Sequence, residues 1–536
     1  MSDATRMLWS PAHVQGADAE EAGGVAAFTS TRQRVADGAR FCGLFEASRD
    51  EASRVEGSPV EGSPLEGSPV EGSREAGAAA LLSVVSTKGA LLVEELRLDV
   101  RKAQSYESLT PAIPAAGWYE RRLRDLFGIE PLGHPRLDPL AFPVPAGSAA
   151  PRGEGGDPTL PMTPDLTPLP AHVHGEGVFT LPYGPVRSGV FEAVEVLIET
   201  SGEDIAHLRT RIFYKHRGIE ARFCGLDVAD GALLAERVEG VASVAHAVAF
   251  SQAIEQIGGI IVPFEAQLVR VVHAELERVA NHLDTMVRHT EAAGQAVAYA
   301  VLSHHKERVQ RLRARLCGSR FGRGVVVPGG VTRPLRLRPS EVLAAVTPLE
   351  RQIGEDIRRL MDTPSFVDRL RKTGVLAQGD ARRFAVVGPV GRASGQPEDV
   401  RSSRPYGAYQ RLGQRIVEAH DEGDALARQR VRIAEIAGAF HLVRQAVDLL
   451  DELGEPQSWR VGVPSVTGRS IGWAEAPHGE LLYLVEAAQG RLVQVTQRSA
   501  SFHNLAAYPA AFPKDIFTDV AFIEASFGLS MAGAAG

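Results

Sequence analysis

Apolar residues recur at three- and four-residue steps across residues 264–287, at Leu268, Val272, Leu276, Val279, Leu283 and Val287, and this spacing predicts a buried amphipathic helix. Residues 340–361 and 424–453 read as two further long helices. Elsewhere the period shortens. LLSVVS and ALLVEELRLDV, within residues 81–100, are β-rich and partly alternating and predict strands, and residues 177–199 and 481–497 predict strand pairs. Residues 118–127 carry a short amphipathic helical pattern, which the turns at Gly128 and Gly133-His134-Pro135 close onto a strand. The first part of the chain is β-rich; the second is mainly helical with strands at its edges.

Two stretches interrupt these patterns. Residues 55–74 read VEGSP VEGSP LEGSP VEGSR, four copies of a five-residue unit. Proline, glycine and serine at fixed intervals block helix and ladder hydrogen bonding, so this is an insertion and not a solenoid repeat. A tolerated surface expansion is the plain reading, and a docking segment is the alternative. Residues 143–170, PVPAGSAAPRGEGGDPTLPMTPDLTPLP, are rich in breakers and mark the expected domain boundary.

Composition narrows the chemistry. In 536 residues, 44% apolar and 23% charged, there is material for substantial cores and more than one domain. The three cysteines, Cys42, Cys224 and Cys317, stand alone. They cannot supply the four thiolates of an all-cysteine zinc site or of an iron–sulfur cluster held by this chain, nor a disulfide scaffold. The expected compartment is reducing. A net charge of −8 and a pI near 6.1 argue against a general nucleic-acid binder. Only six of the 58 basic residues are lysine, a bias that fits a GC-rich genome. No uncharged stretch reaches the roughly 18 residues of a membrane helix, and the N-terminal residues are unlike a signal peptide. A soluble cytoplasmic chain is expected, which leaves docking on a membrane complex open. No G-x-G-x-x-G lies between a strand and a helix, so the chain shows no dinucleotide signature, and if an assembly containing it uses NADH, that site lies on another subunit.

Residues 118–137, WYERRLRDLFGIEPLGHPRL, resemble the signature of the 30-kilodalton (C) subunit of respiratory complex I and its hydrogenase counterparts, with Arg122 where the family usually has glutamate. YKHRGIE at 214–220 and ELERVANHL at 275–283 are similar to segments of group 4 nickel–iron hydrogenase large subunits and of the 49-kilodalton (D) subunit of complex I. GPVGRASGQPEDVRSSRPYGAY at 388–409 resembles the formate hydrogenlyase and hydrogenase-4 large subunits in particular. GWAEAPHG at 472–479 matches G-x-x-E-A-P-R-G with His478 in place of arginine. The order, a C-like domain fused to a D-like domain, is also that of those hydrogenase subunits.

The resemblance implies a nickel–iron site held by two CxxC pairs, since soft thiolates suit nickel. In ERVEGVASVAH, residues 236–246, Glu239 and Ala242 stand at the first pair of cysteine positions; in SFGLSMAG, residues 526–533, Ser530 and Gly533 stand at the second. No metal is expected. Glu239 and His246 read as a hydrogen-bonded pair, with a different cation as the alternative. The resemblance also implies quinone donors, a histidine in G-P-x-H-P and a tyrosine after the H-R-G segment. Arg187 takes the histidine position, and no tyrosine occurs between Tyr214 and Tyr299. Arg187, His216 and His246 are therefore the candidates for a residual catalytic cavity or proton path. His216, Arg217 and Glu220 are assigned to an interface with an iron–sulfur small subunit or to a proton path, beside the plainer reading that His216 and Arg217 anchor a turn through carbonyls and a carboxylate. Glu236, Arg237, Glu275, Glu277 and Arg278 read as buried ion pairs, and Tyr406 and Tyr409 as core or interface.

The expected fold is α+β: a complex I 30-kilodalton-like domain at 1–142 with an antiparallel sheet, a Pro/Gly-rich linker at 143–175, and a large mainly helical hydrogenase-like domain at 176–536. The leading expectation is the large subunit of a membrane-associated complex that lacks the nickel–iron site. Its neighbours would be an iron–sulfur small subunit, a ferredoxin-like subunit and ion-translocating membrane subunits, and its role coupling. An active quinone reductase subunit and a pure assembly scaffold are the alternatives.

Overall fold

The structure, a computed structural model, describes residues 14–17, 28–48, 79–87, 90–97, 105–141, 173, 175–187, 192–414 and 417–536. The VEGSP repeat and the breaker-rich stretch at 143–170 lie outside the described residues. The fold is α+β as expected.

The first unit is a four-stranded sheet in the order Val14–Ala17, Ala90–Arg97, Ala79–Thr87, Arg40–Ser48. Three strands are antiparallel, as the sequence predicts, but Val14–Ala17 runs parallel to Ala90–Arg97, so the sheet is mixed. A strand so far from its neighbour in sequence is not tied by a hairpin, and its direction is free of that constraint. The helix Gly117–Phe127 buries Tyr119 and Leu123 and ends at Gly128, whose φ of 69° and N–H bond to the Arg124 carbonyl make an αL stop. The acids of this helix hold loops: Glu120 accepts from the Leu109 N–H at 2.7 Å, and Asp125 from Leu140 and Ala141 at 2.6 and 2.9 Å.

This unit does not keep a core to itself. The Trp118 and Tyr119 rings stand edge-on to Phe502 at 5.8 and 5.0 Å, and the Tyr119 hydroxyl meets His503 Nδ1 at 2.6 Å. Arg40 pairs with Glu480 at 2.8 Å, and Arg498 donates to the Cys42 carbonyl at 2.8 Å. One hydrophobic cluster accordingly runs from Phe41 and Leu81 through Val196 to Phe512.

The larger unit is built on the helices Phe264–Ala292 and Ala425–Leu453, which pack against each other, with Ser243–Ile257, Ala296–Cys317 and Pro339–Met361 around them. The predicted long helices are present within a few residues of their expected ends, and Asp424 caps the last by accepting from the Ala427 N–H. Ser243–Ile257 has no clear stripe because it is buried on nearly all sides. It lies on an antiparallel sheet of Gly468–Ala476, Gly479–Ala488 and Arg491–Arg498. Gly472 permits that approach, since a Cβ there would stand 1.9 Å from the Ala249 carbonyl oxygen. A second antiparallel sheet comprises Phe179–Tyr183, Glu195–Thr200 and Ile205–Arg211.

His273, on the Phe264–Ala292 helix, is buried with Nδ1 unpartnered. Burial, aided by the charge of Arg313, pushes it down to about 3. The unfolded chain therefore takes up this proton near pH 6.5 while the folded chain refuses it, so the residue costs stability as pH falls from about 6.5 toward 3. Thermal unfolding of His273→Gln should lose up to about 1.4 kcal/mol per pH unit less than wild type over that window. Parallel pH profiles for the two proteins would show that His273 is not buried neutral.

Candidate functional site

The two segments that align with metal-ligand motifs come together. The helix Val228–Ala235 ends just before Glu239, and Ser243–Ile257 starts just after it. The Glu277 carboxylate accepts from the Val244 and Ala245 N–H groups at 2.9 and 3.1 Å and so fixes the start of that helix. In its first turn, His246 points both ring nitrogens at partners. Nε2 meets Glu239 Oε1 at 3.1 Å, and Nδ1 meets the Tyr483 hydroxyl at 2.7 Å. A neutral ring satisfies both, with Nε2–H donating to the carboxylate and Tyr483 donating to Nδ1.

The second carboxylate oxygen of Glu239 has no hydrogen-bond partner and faces Gly533. A Cβ on Gly533 would stand 2.0 Å from that oxygen, so the carboxylate fills the space a side chain there would need. Burial alone would raise the Glu239 carboxyl, but the His246 bond and nearby His478 outweigh it and hold it below the ordinary range. His478 is buried with Nε2 unpartnered, and burial lowers its pKa. Its carbonyl packs on Gly388, where the positive φ of 68° and a Cβ at 2.0 Å from that oxygen both demand glycine.

Ser530 is the N-cap of the helix Met531–Ala535, accepting from the Gly533 N–H at 3.2 Å and donating to Glu192 at 3.2 Å. Glu192 also takes the Met531 N–H. Burial first, then the charge of Glu239, raises the Glu192 carboxyl. Ala242 is fully buried at the N-cap of the other helix.

His216 and Arg217 staple these segments to each other. His216 Nδ1–H donates to the Ala535 carbonyl at 2.8 Å, while the Arg217 guanidinium reaches the carbonyls of Arg237, Val238 and Ala532. Glu220 pairs with Arg122 and accepts from the Gln497 N–H at 2.9 Å, so the arginine that departs from the family pattern has its carboxylate across the two units. His216 and Arg217 thus anchor these segments through backbone carbonyls, and the carboxylate of Glu220 is engaged by Arg122.

Arg187 is engaged elsewhere. Its guanidinium forms a bidentate pair with Glu524 at 2.6 and 2.8 Å and sits 5.1 Å from the Tyr183 ring centroid. It shares no hydrogen bond or ion pair with His246, Glu239 or Ser530 among the described residues. Among the five acids and arginines read as buried pairs, Glu275–Arg278 (3.1 Å) and Glu277–Arg313 (3.3 Å) are such pairs. Arg237 is not: its side chain is 53% exposed and 4.0 Å from Glu236. Water solvates it better than a buried partner would. Glu236 instead accepts from the Gly324 N–H, and burial pushes it up to about 7. Tyr406 and Tyr409 are core, with Tyr409 donating to Glu275 at 2.6 Å and the Tyr406 hydroxyl accepting from the Glu475 N–H at 3.0 Å.

Tyr483 and Glu192 were not picked out from the sequence. Tyr483 lies in a continuous apolar strand with nothing local to mark it, and Glu192 carries no motif. A cleft of about 500 Å³ between Ala296–Cys317 and Pro339–Met361 lies apart, and its polar groups answer one another, His305 to Asp356 at 2.8 Å and Arg308 to Gln352 at 2.6 Å. No group of three or more His, Cys, Asp or Glu side chains among the described residues could hold a metal ion.

The residues at the Glu239–Gly533 contact do not fit a nickel–iron centre. They offer one carboxylate, already bonded to histidine, one capping hydroxyl, an alanine and a glycine, with no thiolate. Comparison with known proteins places the chain. Residues 69–148 match the model of the respiratory-chain NADH dehydrogenase 30 Kd subunit, and residues 293–460 that of the 49 Kd subunit. Over 310 residues it is 30% identical to the carbon monoxide-induced hydrogenase of Rhodospirillum rubrum, covering 58% of this chain and 85% of that one. The chain belongs to the family of hydrogenase and complex I C/D subunits. Within this family, formate hydrogenlyase subunit 5 of Escherichia coli is 28% identical, covering 75% of this chain and 71% of that protein. The C/D subunit of the NADH-quinone oxidoreductase of Gluconacetobacter diazotrophicus is 28% identical, with 74% and 72% covered. Family members such as these are subunits of membrane-associated complexes. No helix among the described residues is long and apolar enough to cross a membrane.

Proposed function

We propose that this chain is the large subunit of a membrane-associated complex resembling hydrogenase-4 or complex I, that it carries no nickel–iron site, and that it couples redox or conformational change to ion translocation. It would sit on the inner face of the membrane beside an iron–sulfur small subunit and a ferredoxin-like subunit, above ion-translocating subunits, and would hold no cofactor of its own. One observation carries the reading: the Glu239 carboxylate, held by His246, fills the space at Gly533. Metal analysis and a hydrogen-uptake assay with a dye acceptor test it on the purified complex. Nickel far below one atom per chain and no uptake are expected. Stoichiometric nickel with uptake would overturn it.

The alternative, a quinone gripped by this chain, is weakened by the commitment of Arg187 to Glu524. On our reading, complexes carrying Arg187→Ala or His246→Ala reduce a soluble quinone at the wild-type rate. A drop of about a hundredfold, the usual contribution of a general acid, would restore the quinone reading. The close packing at Glu239 and Gly533 also suits an assembly scaffold, which differs in one respect: a scaffold leaves ion translocation by the assembled complex unchanged in Glu239→Gln.

A further inference from the structure

Between Glu307 and Glu341 nine arginines face two glutamates, an excess of seven positive charges in a chain of net charge −8. Arg311, Arg315, Arg320, Arg333, Arg336 and Arg338 in this stretch are exposed. They form one surface, where the C-terminal end of the helix Ala296–Cys317 meets the loop that wraps back over it. Arg336 N–H bonds to the Leu316 carbonyl, and the Arg336 guanidinium covers Gly318. The two glutamates are already used. Glu307 pairs with Arg311 and Arg320, and Glu341 with Arg338. Arg315, Arg333 and Arg336 have no carboxylate within ion-pair distance among the described residues.

Such a surface repels itself and is relieved by anions. Beside it Phe321 is 40% exposed, with the Arg323 guanidinium 5.4 Å from its ring centroid. Arginine next to an exposed aromatic ring is the composition of a protein interface, because the planar guanidinium both stacks and grips carboxylates bidentately. Arg323 also reaches the Ser243 hydroxyl at 3.4 Å, four residues after Glu239 in the chain.

We propose that this arginine surface is the docking face for an acidic surface of another subunit in the same assembly. The proposal rests on the reading of the chain as a complex subunit. A guanidinium-modifying reagent, phenylglyoxal, tests it, with Arg315 and Arg336 followed by mass spectrometry. Both should be modified readily in the isolated chain and protected in the complex. In Arg315→Glu/Arg336→Glu, checked for folding by its melting profile, at least one subunit should be lost about tenfold or more on co-purification, with the Gln pair intermediate. Equal labelling in free chain and complex, or a full set of subunits with the folded Glu pair, overturns the proposal. So does protection in the free chain that vanishes on deleting residues 55–74, since the occupant is then this chain's own glutamate-bearing repeat. So does an intact complex that only loses affinity for phosphatidylglycerol vesicles. If wild type co-purifies with no subunit, the complex reading itself fails, an outcome distinct from these.

Discussion

Arg392→Met should cost the folded chain about 3–5 kcal/mol, the range for leaving buried charges unpaired, a large part of the 5–15 kcal/mol that usually holds a domain together. The guanidinium is 1% exposed and donates to Glu435 at 2.7 Å, to Glu475 at 3.1 Å and to the Glu398 carbonyl at 2.9 Å. Around it Glu435 also binds His282 at 2.8 Å, Arg401 pairs with Glu275 at 3.0 Å and Asp399 at 2.6 Å, and Arg278 donates to the carbonyls of Glu475 and Ala476. Four carboxylates, Glu275, Asp399, Glu435 and Glu475, thus share three arginines. A fourth buried arginine, Arg432, adds its charge beside Glu435, and within the network burial, then Asp399, pushes Glu475 up to about 7. Without Arg392 the Glu475 carboxylate loses its ion-pair partner and Glu435 loses one of its own, so at least one carboxylate must bind a proton or go unpaired. The variant should melt far below wild type or fail to stay soluble. Adding Glu435→Gln should recover part of the loss, because it removes one of the stranded charges. The exposed pair Arg359–Asp356, at 2.7 Å with Arg359 75% exposed, is the control, and Arg359→Ala should cost under about 1 kcal/mol. Equal losses in the two variants would show that the network is solvated rather than buried.

The same network explains how much could be read in advance. Glu275, Arg278 and His282 come from ELERVANHL, Arg392, Asp399, Arg401, Tyr406 and Tyr409 from the 388–409 segment, and Glu475 from GWAEAPHG. The motifs that mark the family are here the members of one buried charge system, so the residues were visible in the sequence although their pairings were not. Arg278 and the Ala476 carbonyl meet across 198 positions, and no local pattern encodes such a distance. Helices with a one-sided stripe were legible for the opposite reason, since a 3.6-residue period needs no distant partner. Ser243–Ile257, buried on nearly all sides, and the parallel edge strand Val14–Ala17 were not, because packing decides both. At the candidate site the sequence supplied Glu239, His246, Ser530 and Gly533. It could not supply Tyr483, Glu192 or the fact that Glu239 takes up the room left by Gly533.

That last contact yields the second large effect. Gly533→Ala places a Cβ 2.0 Å from Glu239 Oε2 and 2.8 Å from its carboxyl carbon, so one of the two must move. A carboxylate at the end of a free side chain would swing aside cheaply, but this one is 2% exposed and held. Its other oxygen takes the His246 bond, His246 is held in turn by Tyr483, and the preceding Val238 carbonyl is tied by Arg217. Moving Glu239 would strand a buried imidazole N–H, and moving the Met531–Ala535 helix would disturb the Ser530 cap and its bonds to Glu192. Either route costs about 1–3 kcal/mol. The cost belongs to the pair, so in a Glu239→Ala background, where the space is empty, the same Gly533→Ala change should cost under about 0.5 kcal/mol. A double-mutant cycle on thermal stability reads the difference directly. A large coupling is the expected result and means that the position of a metal-ligand residue in the family pattern is here packed with an acid side chain. Equal costs in both backgrounds would mean that the carboxylate is free to leave, that the space beside Gly533 can open, and that the reading of this chain as a subunit without a working metal site loses its structural support.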